Sequence, residues 1–281
     1  MKRLLVMTML LFGLTACSTK MSYHFMDWAI EWGLDDYVSL NQQQETEFDN
    51  LLESFLSWHR QSELPKYSAD LRQFRNQIDD GSLSPHSWQT FVEQLRGHWF
   101  HIFEQYFDEM WPLILSLTDE QVVNINQKLS EEQRALDQEY QDKTAEQLQQ
   151  DADERLQDTL DDWLGSVTKE QKLLAQQYNR EREFTTDMWL EYRHAWYQQF
   201  KQTLEQRDKT PQLKQQLHML LTSPQQLRSD DYQQKLNQNT EKFGEFLVQL
   251  RSTLTAKQRY HLLKKLDDLI EDLDELAAES D

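Results

Sequence analysis

The stretch HWFHIFE places His98, His101 and Glu104 three residues apart, with Asp108 four beyond Glu104. On a helix, residues three or four apart are neighbours, so these imidazoles and carboxylates could share a metal ion or a proton. A second stretch, EYRH, sets Glu191 and His194 at the Glu-x-x-His spacing used by di-iron helical bundles. Such a site takes that motif from each of two helices and a carboxylate from each of two others. The sequence holds no second Glu-x-x-His. His98, His101, Glu104, Glu191 and His194 are therefore weak metal candidates, and no metal or other cofactor is expected. The competing expectation is a polar network inside an aromatic core, with Arg60, Arg96 or Arg193 as partners.

Other chemistries have less to stand on. No Gly-x-Ser-x-Gly elbow and no Gly-rich phosphate loop occurs. Acidic residues are spread along the whole chain, so no pair stands out as acid and base. No catalytic residue is assigned, and a non-enzymatic protein is expected. With 49 acidic residues against 29 basic ones, the formal charge is −20. A surface this acidic repels phosphate backbones, which excludes nucleic acid, and it repels anionic lipid as well. It attracts basic proteins or divalent cations.

The single cysteine, Cys17, follows the leader MKRLLVMTMLLFGLTA. Lys2 and Arg3 precede a short apolar run, Leu4 to Leu14, too short for a comfortable membrane span. A lone cysteine has no disulfide partner within the chain. LTAC, residues 14–17, resembles the bacterial lipoprotein signal, in which small residues precede an invariant cysteine. The resemblance implies that residues 1–16 are removed and that Cys17 is diacylated and becomes the first mature residue. Loss of Lys2 and Arg3 would take the charge from −20 to −22. Ser18, where an inner-membrane retention signal would place Asp, implies sorting to the outer membrane, facing the periplasm. Residues 17–22 then form a short lipidated tether.

The elements that would position any site are helices. Only 6 Gly and 5 Pro occur in 281 residues, while 35 Gln and 28% charged residues dilute a 38% hydrophobic fraction. The apolar residues keep helical spacing, as in Phe48, Leu51, Leu52, Phe55 and Leu56. With 13 Phe, 10 Tyr and 9 Trp, a sizeable core is available. An all-α, elongated multi-helix bundle is expected over 23–281. Helices are expected at 23–32 stopping at Gly33, at about 41–63, from Pro65 to Gly81, and from Pro85 to about Met110 with a break at Pro112. Two long helices, Asp119–Trp163 and Thr168 to about Asp208, are expected to form an antiparallel hairpin, about 118–208, with a projecting tip. Shorter helices follow from Pro211, from Asp230 to Ser252, and after Thr255. YHFMDWAIEW, 23–32, is expected to pack Trp28 and Trp32 on the bundle, because Asp27 and Glu31 disfavour an anionic bilayer surface.

A pentapeptide recurs as LTDEQ at 117–121, VTKEQ at 167–171 and LTAKQ at 254–258. Thr118 with Gln121, Thr168 with Gln171, and Thr255 with Gln258 each fit a capping box that starts a helix. LTSPQ at 221–225 fits the pattern without a further meaning. The recurrence resembles the LTxxQ motif of the periplasmic chaperones Spy and CpxP, which implies a protein that binds unfolded chains. DWAIEWGLDDYVSLNQQQ and WHRQSELPKY resemble an uncharacterised family of proteobacterial lipoproteins, which implies the address and the helical fold but no activity.

The expected function is a non-enzymatic lipoprotein, anchored in the outer membrane through lipid on Cys17, that binds other envelope proteins in a chaperone-like or assembly role. Its apolar strips would lie between acidic helices, on the 118–208 hairpin. The rival expectations are a structural lipoprotein with one fixed partner and a metal-binding helical-bundle enzyme.

Overall fold

A computed structural model describes residues 19–207 and 211–279. The expected leader, its expected cleavage site and Cys17 lie outside the described residues. The described elements are all helical. In order they are α1 (Thr19–His24), α2 (Met26–Asp35), α3 (Gln42–Trp58), a π-turn (His59–Glu63), α4 (Leu64–Asp80), α5 (Pro85–Ser116) and α6 (Asp119–Gln141). There follow α7 (Ala145–Leu164), α8 (Lys169–Glu181), α9 (Thr186–Glu205), α10 (Pro211–Thr222), a 3-10 turn (Pro224–Leu227), α11 (Asp230–Ser252) and α12 (Ala256–Ala278). The chain is an all-α multi-helix bundle.

Two helices organise it. α12 packs along α4 and also meets α1, the π-turn and α7. α5 packs along α11 and α10 and also touches α3 and α4. Burial follows these contacts. Leu64, Leu273 and Leu276 join Tyr23 at one end of α12, and Leu266 joins Ile78 and Leu83 at its middle. Leu160 and Leu164 of α7, Ala175 of α8, and Phe246 and Leu250 of α11 form a third cluster. Gly244 explains itself here: a Cβ at that position would lie 2.7 Å from the Pro85 Cα. The glycine lets α11 approach the start of α5.

Several helix boundaries depart from the sequence reading. α3 does not end before Pro65; it continues through the π-turn into α4. A proline cannot donate to the carbonyl four residues back, and its ring crowds that carbonyl. The wider π-turn immediately before Pro65 is where the chain absorbs this. α5 runs through Pro112 to Ser116. Gly33 lies inside α2 and stops nothing; Phe25 interrupts the helix instead. By contrast, Gly81 and Gly165 both take left-handed conformations at helix C-termini, with φ of 87° and 73°, as C′ glycines do.

The two long helices are each split. The first breaks at 142–144, where Thr144 and Gln147 form a capping box of their own and start α7. The second breaks at 182–185, where Asn239 of α11 binds both the N–H (2.7 Å) and the carbonyl (2.9 Å) of Glu183. The chain folds back so that α6 meets α9 and α7 meets α8. The tip does not project. Leu156, Leu160 and Leu164 near it pack with Phe246 and Leu250 of α11, and Lys265 of α12 binds Asp162 at 2.6 Å.

Candidate functional site

The π-turn buries a charge. Glu63 has no exposed surface, and a buried carboxylate must be paired or hydrogen-bonded to be tolerated. Three cationic or imidazole groups supply this. The Lys66 ammonium lies 2.6 Å from Oε1, His101 Nδ1 lies 3.1 Å from Oε1, and His98 Nδ1 lies 3.6 Å from Oε2. His98 Nε2 reaches Asp70 of α4 at 2.7 Å, and Gln94 donates to the other oxygen of Asp70 at 3.0 Å. The cluster therefore ties α5 to α4 and the π-turn. It lines an open groove of about 530 Å³ formed by Lys66, Ala69, Asp70, Gln94, Gly97, His98 and His101.

One turn earlier, His59 is buried among Tyr23, Phe55, Trp58 and Tyr67. Burial lowers its pKa to about 4, because desolvation penalises the imidazolium. Its Nδ1 lies within hydrogen-bond distance of the Tyr23 hydroxyl, at 2.9 Å.

The five metal candidates are not assembled into one site. His98 and His101 meet Glu63 and Asp70, whereas Glu104 pairs with His218 at 3.1 Å and His194 with Asp137 at 3.0 Å. The His194 contact lowers the Asp137 pKa. Glu191 is exposed on α9. No group of three or more candidate ligands among the described residues is arranged to hold a metal ion. In the Glu63 cluster, His101 and Lys66 both face Oε1 at hydrogen-bond distance, while Oε2 has no hydrogen-bond partner and lies 3.6 Å from His98. A metal would need nitrogen and oxygen ligands aimed at one shared point about 2.0–2.2 Å from each.

The repeated pentapeptides do more than start helices. Thr118, Thr168 and Thr255 each accept from the N–H of Gln121, Gln171 and Gln258, which reach back to the threonine N–H. These glutamines are buried and meet in pairs. Gln171 Nε2 donates to Gln258 Oε1 at 3.1 Å, and Gln258 Nε2 donates to Gln171 Oε1 at 2.8 Å. The free N–H of each amide binds the opposite loop: Gln171 the Thr253 carbonyl, Gln258 the Ser166 carbonyl. Gln121 does the same with Gln44, at 3.1 and 2.8 Å, and their remaining donors bind the Ser39 and Ser116 carbonyls. Two pairs of helix starts, α3 with α6 and α8 with α12, are thus locked face to face.

Gln44, Glu63 and Asp70 are the residues that sequence reasoning missed. Gln44 had a signal: LNQQQ at 40–44 follows the pentapeptide with Asn41 in place of the capping threonine. Asp70 had none, since its partners Gln94 and His98 lie 24 and 28 residues away, and for Glu63 only the Lys66 spacing was local, its imidazole partner His101 lying 38 residues away.

Trp28 and Trp32 are not packed on the bundle. They stack on each other with ring centroids 6.0 Å apart and remain 60% and 45% exposed. On α5, Leu95 and Trp99 are also exposed, and Trp99 meets Phe103 edge-on at 5.5 Å.

Residues 36–233, well over half of the chain, match a family of unknown function (DUF6279), and the chain belongs to that family. No curated protein and no solved structure matches it.

Proposed function

We propose that this member of a family without an assigned activity is a lipoprotein anchored in the outer membrane through Cys17 that binds other envelope proteins in a chaperone-like or assembly role, without enzymatic activity. The observation that supports the binding role is the stripe Leu95, Trp99 and Phe103 along α5. These side chains sit four residues apart, on one helix face, and the first two are exposed. Apolar patches on an otherwise polar surface mark sites of interaction. The strong net negative charge around it keeps a complex with an unfolded, apolar segment soluble. The stripe lies on α5 and not on the 118–208 segment.

The test is suppression of aggregation. A chemically unfolded client diluted into buffer with stoichiometric protein is expected to stay in solution, and the Leu95→Ser/Trp99→Ser protein is expected to lose that effect. No suppression by the natural protein sinks the chaperone reading. A structural role predicts instead that crosslinking in cells through position 99 captures one fixed partner and not a range of clients.

A further inference from the structure

The first two helices carry a second apolar stripe, and its surroundings say what covers it. Met21 lies on α1, Phe25 at the break between the two helices, and Trp28 and Trp32 four residues apart on one face of α2. They are 52%, 57%, 60% and 45% exposed. The opposite side is what holds these helices to the bundle. Tyr23 is buried against Leu64, Leu273 and Leu276, and Met26 packs on the same cluster. Lys20 binds Glu275 at 3.0 Å and Glu279 at 3.1 Å. The fold therefore fixes the stripe facing outward.

We propose that Met21, Phe25, Trp28 and Trp32 lie in the headgroup region of a zwitterionic phospholipid bilayer, as a second, non-covalent membrane contact beside the lipid on Cys17. The proposal rests on the anchor proposed above. Met21 is four residues on from Cys17, and a fully extended chain spans at most about 3.6 Å per residue, so Met21 lies within about 14 Å of an acylated Cys17. A stripe held that close to a bilayer has the bilayer as its nearest apolar phase. The residue types agree: tryptophan concentrates at membrane–water interfaces, where an apolar ring with one polar N–H is best accommodated. α2 has ten residues, far short of the roughly 20 needed to span, so it lies on the surface. Charge selects the lipid. Asp27, Glu31 and Asp35 flank the stripe, and the one lysine of α1 is taken by Glu275 and Glu279. An anionic headgroup would be repelled.

The test uses the full chain, expressed natively and reconstituted into phosphatidylcholine vesicles with or without bromine on the acyl chains. Bromolipid is expected to quench part of the tryptophan emission, and Trp28→Gln/Trp32→Gln is expected to lose that part while circular dichroism stays unchanged. No quenching in the natural protein overturns the proposal, as does equal quenching in the variant. A photo-crosslinker at position 28 that captures protein, a second copy included, in place of lipid also overturns it. The mass of the mature N-terminus reports the anchor separately. Lipid on Cys17 without quenching removes only the stripe. Quenching without lipid on Cys17 removes only the covalent anchor.

Discussion

At the scale of single residues, glutamine carries the unusual role. Each paired glutamine spends both donors and its carbonyl on partners that water cannot replace, since Gln44, Gln171 and Gln258 are almost wholly buried. Replacing one of them strands the other. Gln171→Leu is expected to cost about 1–3 kcal/mol, the desolvation penalty of the orphaned Gln258 amide, on top of the lost half of its capping box. Thr168→Ala, which removes only a cap acceptor, is expected to cost about 1 kcal/mol. Adding Gln258→Leu to Gln171→Leu should cost less than the two changes separately, because the orphan disappears; additive costs in urea titrations would show the pair to be uncoupled. His59 makes a pH-dependent contribution. Its pKa falls from 6.5 to about 4 on folding, so between those values the unfolded chain binds a proton that the native chain does not. Stability is whole above pH 6.5, is lost as the pH falls toward 4, and reaches a deficit on the order of 3 kcal/mol. His59→Gln should flatten the melting temperature over that window, and an unchanged pH profile would show that other groups dominate.

At the scale of elements, the caps were legible and the breaks were not. Thr118, Thr168 and Thr255 with their glutamines mark the starts of α6, α8 and α12 because a capping box is a contact among four consecutive residues, all visible in one window. The Thr144 box has the same form inside KTAEQ, and it was hidden only by the long apolar spacing that runs across it. The break at 182–185 had no local mark: Asn239, 56 residues away, takes the Glu183 backbone. Pro112 shows the reverse, a local mark for a break that the packed helix overrides. Gly244 belongs to the same scale. By helix propensity alone Gly244→Ala would stabilise α11 by up to about 1 kcal/mol. Because the new Cβ would meet the Pro85 backbone, the variant is expected instead to lose about 1–3 kcal/mol. A higher melting temperature would mean that α5 can move aside.

At the scale of the whole molecule, the address and the architecture have different origins. The proposed address rests on the local stretch LTAC, and it predicts that Cys17→Ala moves the protein from the membrane fraction to the soluble fraction. Attachment that survives the change would remove the lipid anchor. The architecture depends on contacts across the chain. α7 carries a narrow apolar stripe that by itself suits a projecting two-helix contact; it is buried because α11 and α12, some 80 to 100 residues later, dock on it. The sequence by itself determined the all-α class, the helix starts and the acidic surface, because helical periodicity, capping and charge are properties of neighbours along the chain. Only the tertiary structure decided that His98 and His101 meet Glu63 and Asp70, that the box glutamines pair, and that Trp28 and Trp32 face outward. Each of these is a contact between separate helices, and no periodicity along a single helix encodes which other helix will cover it.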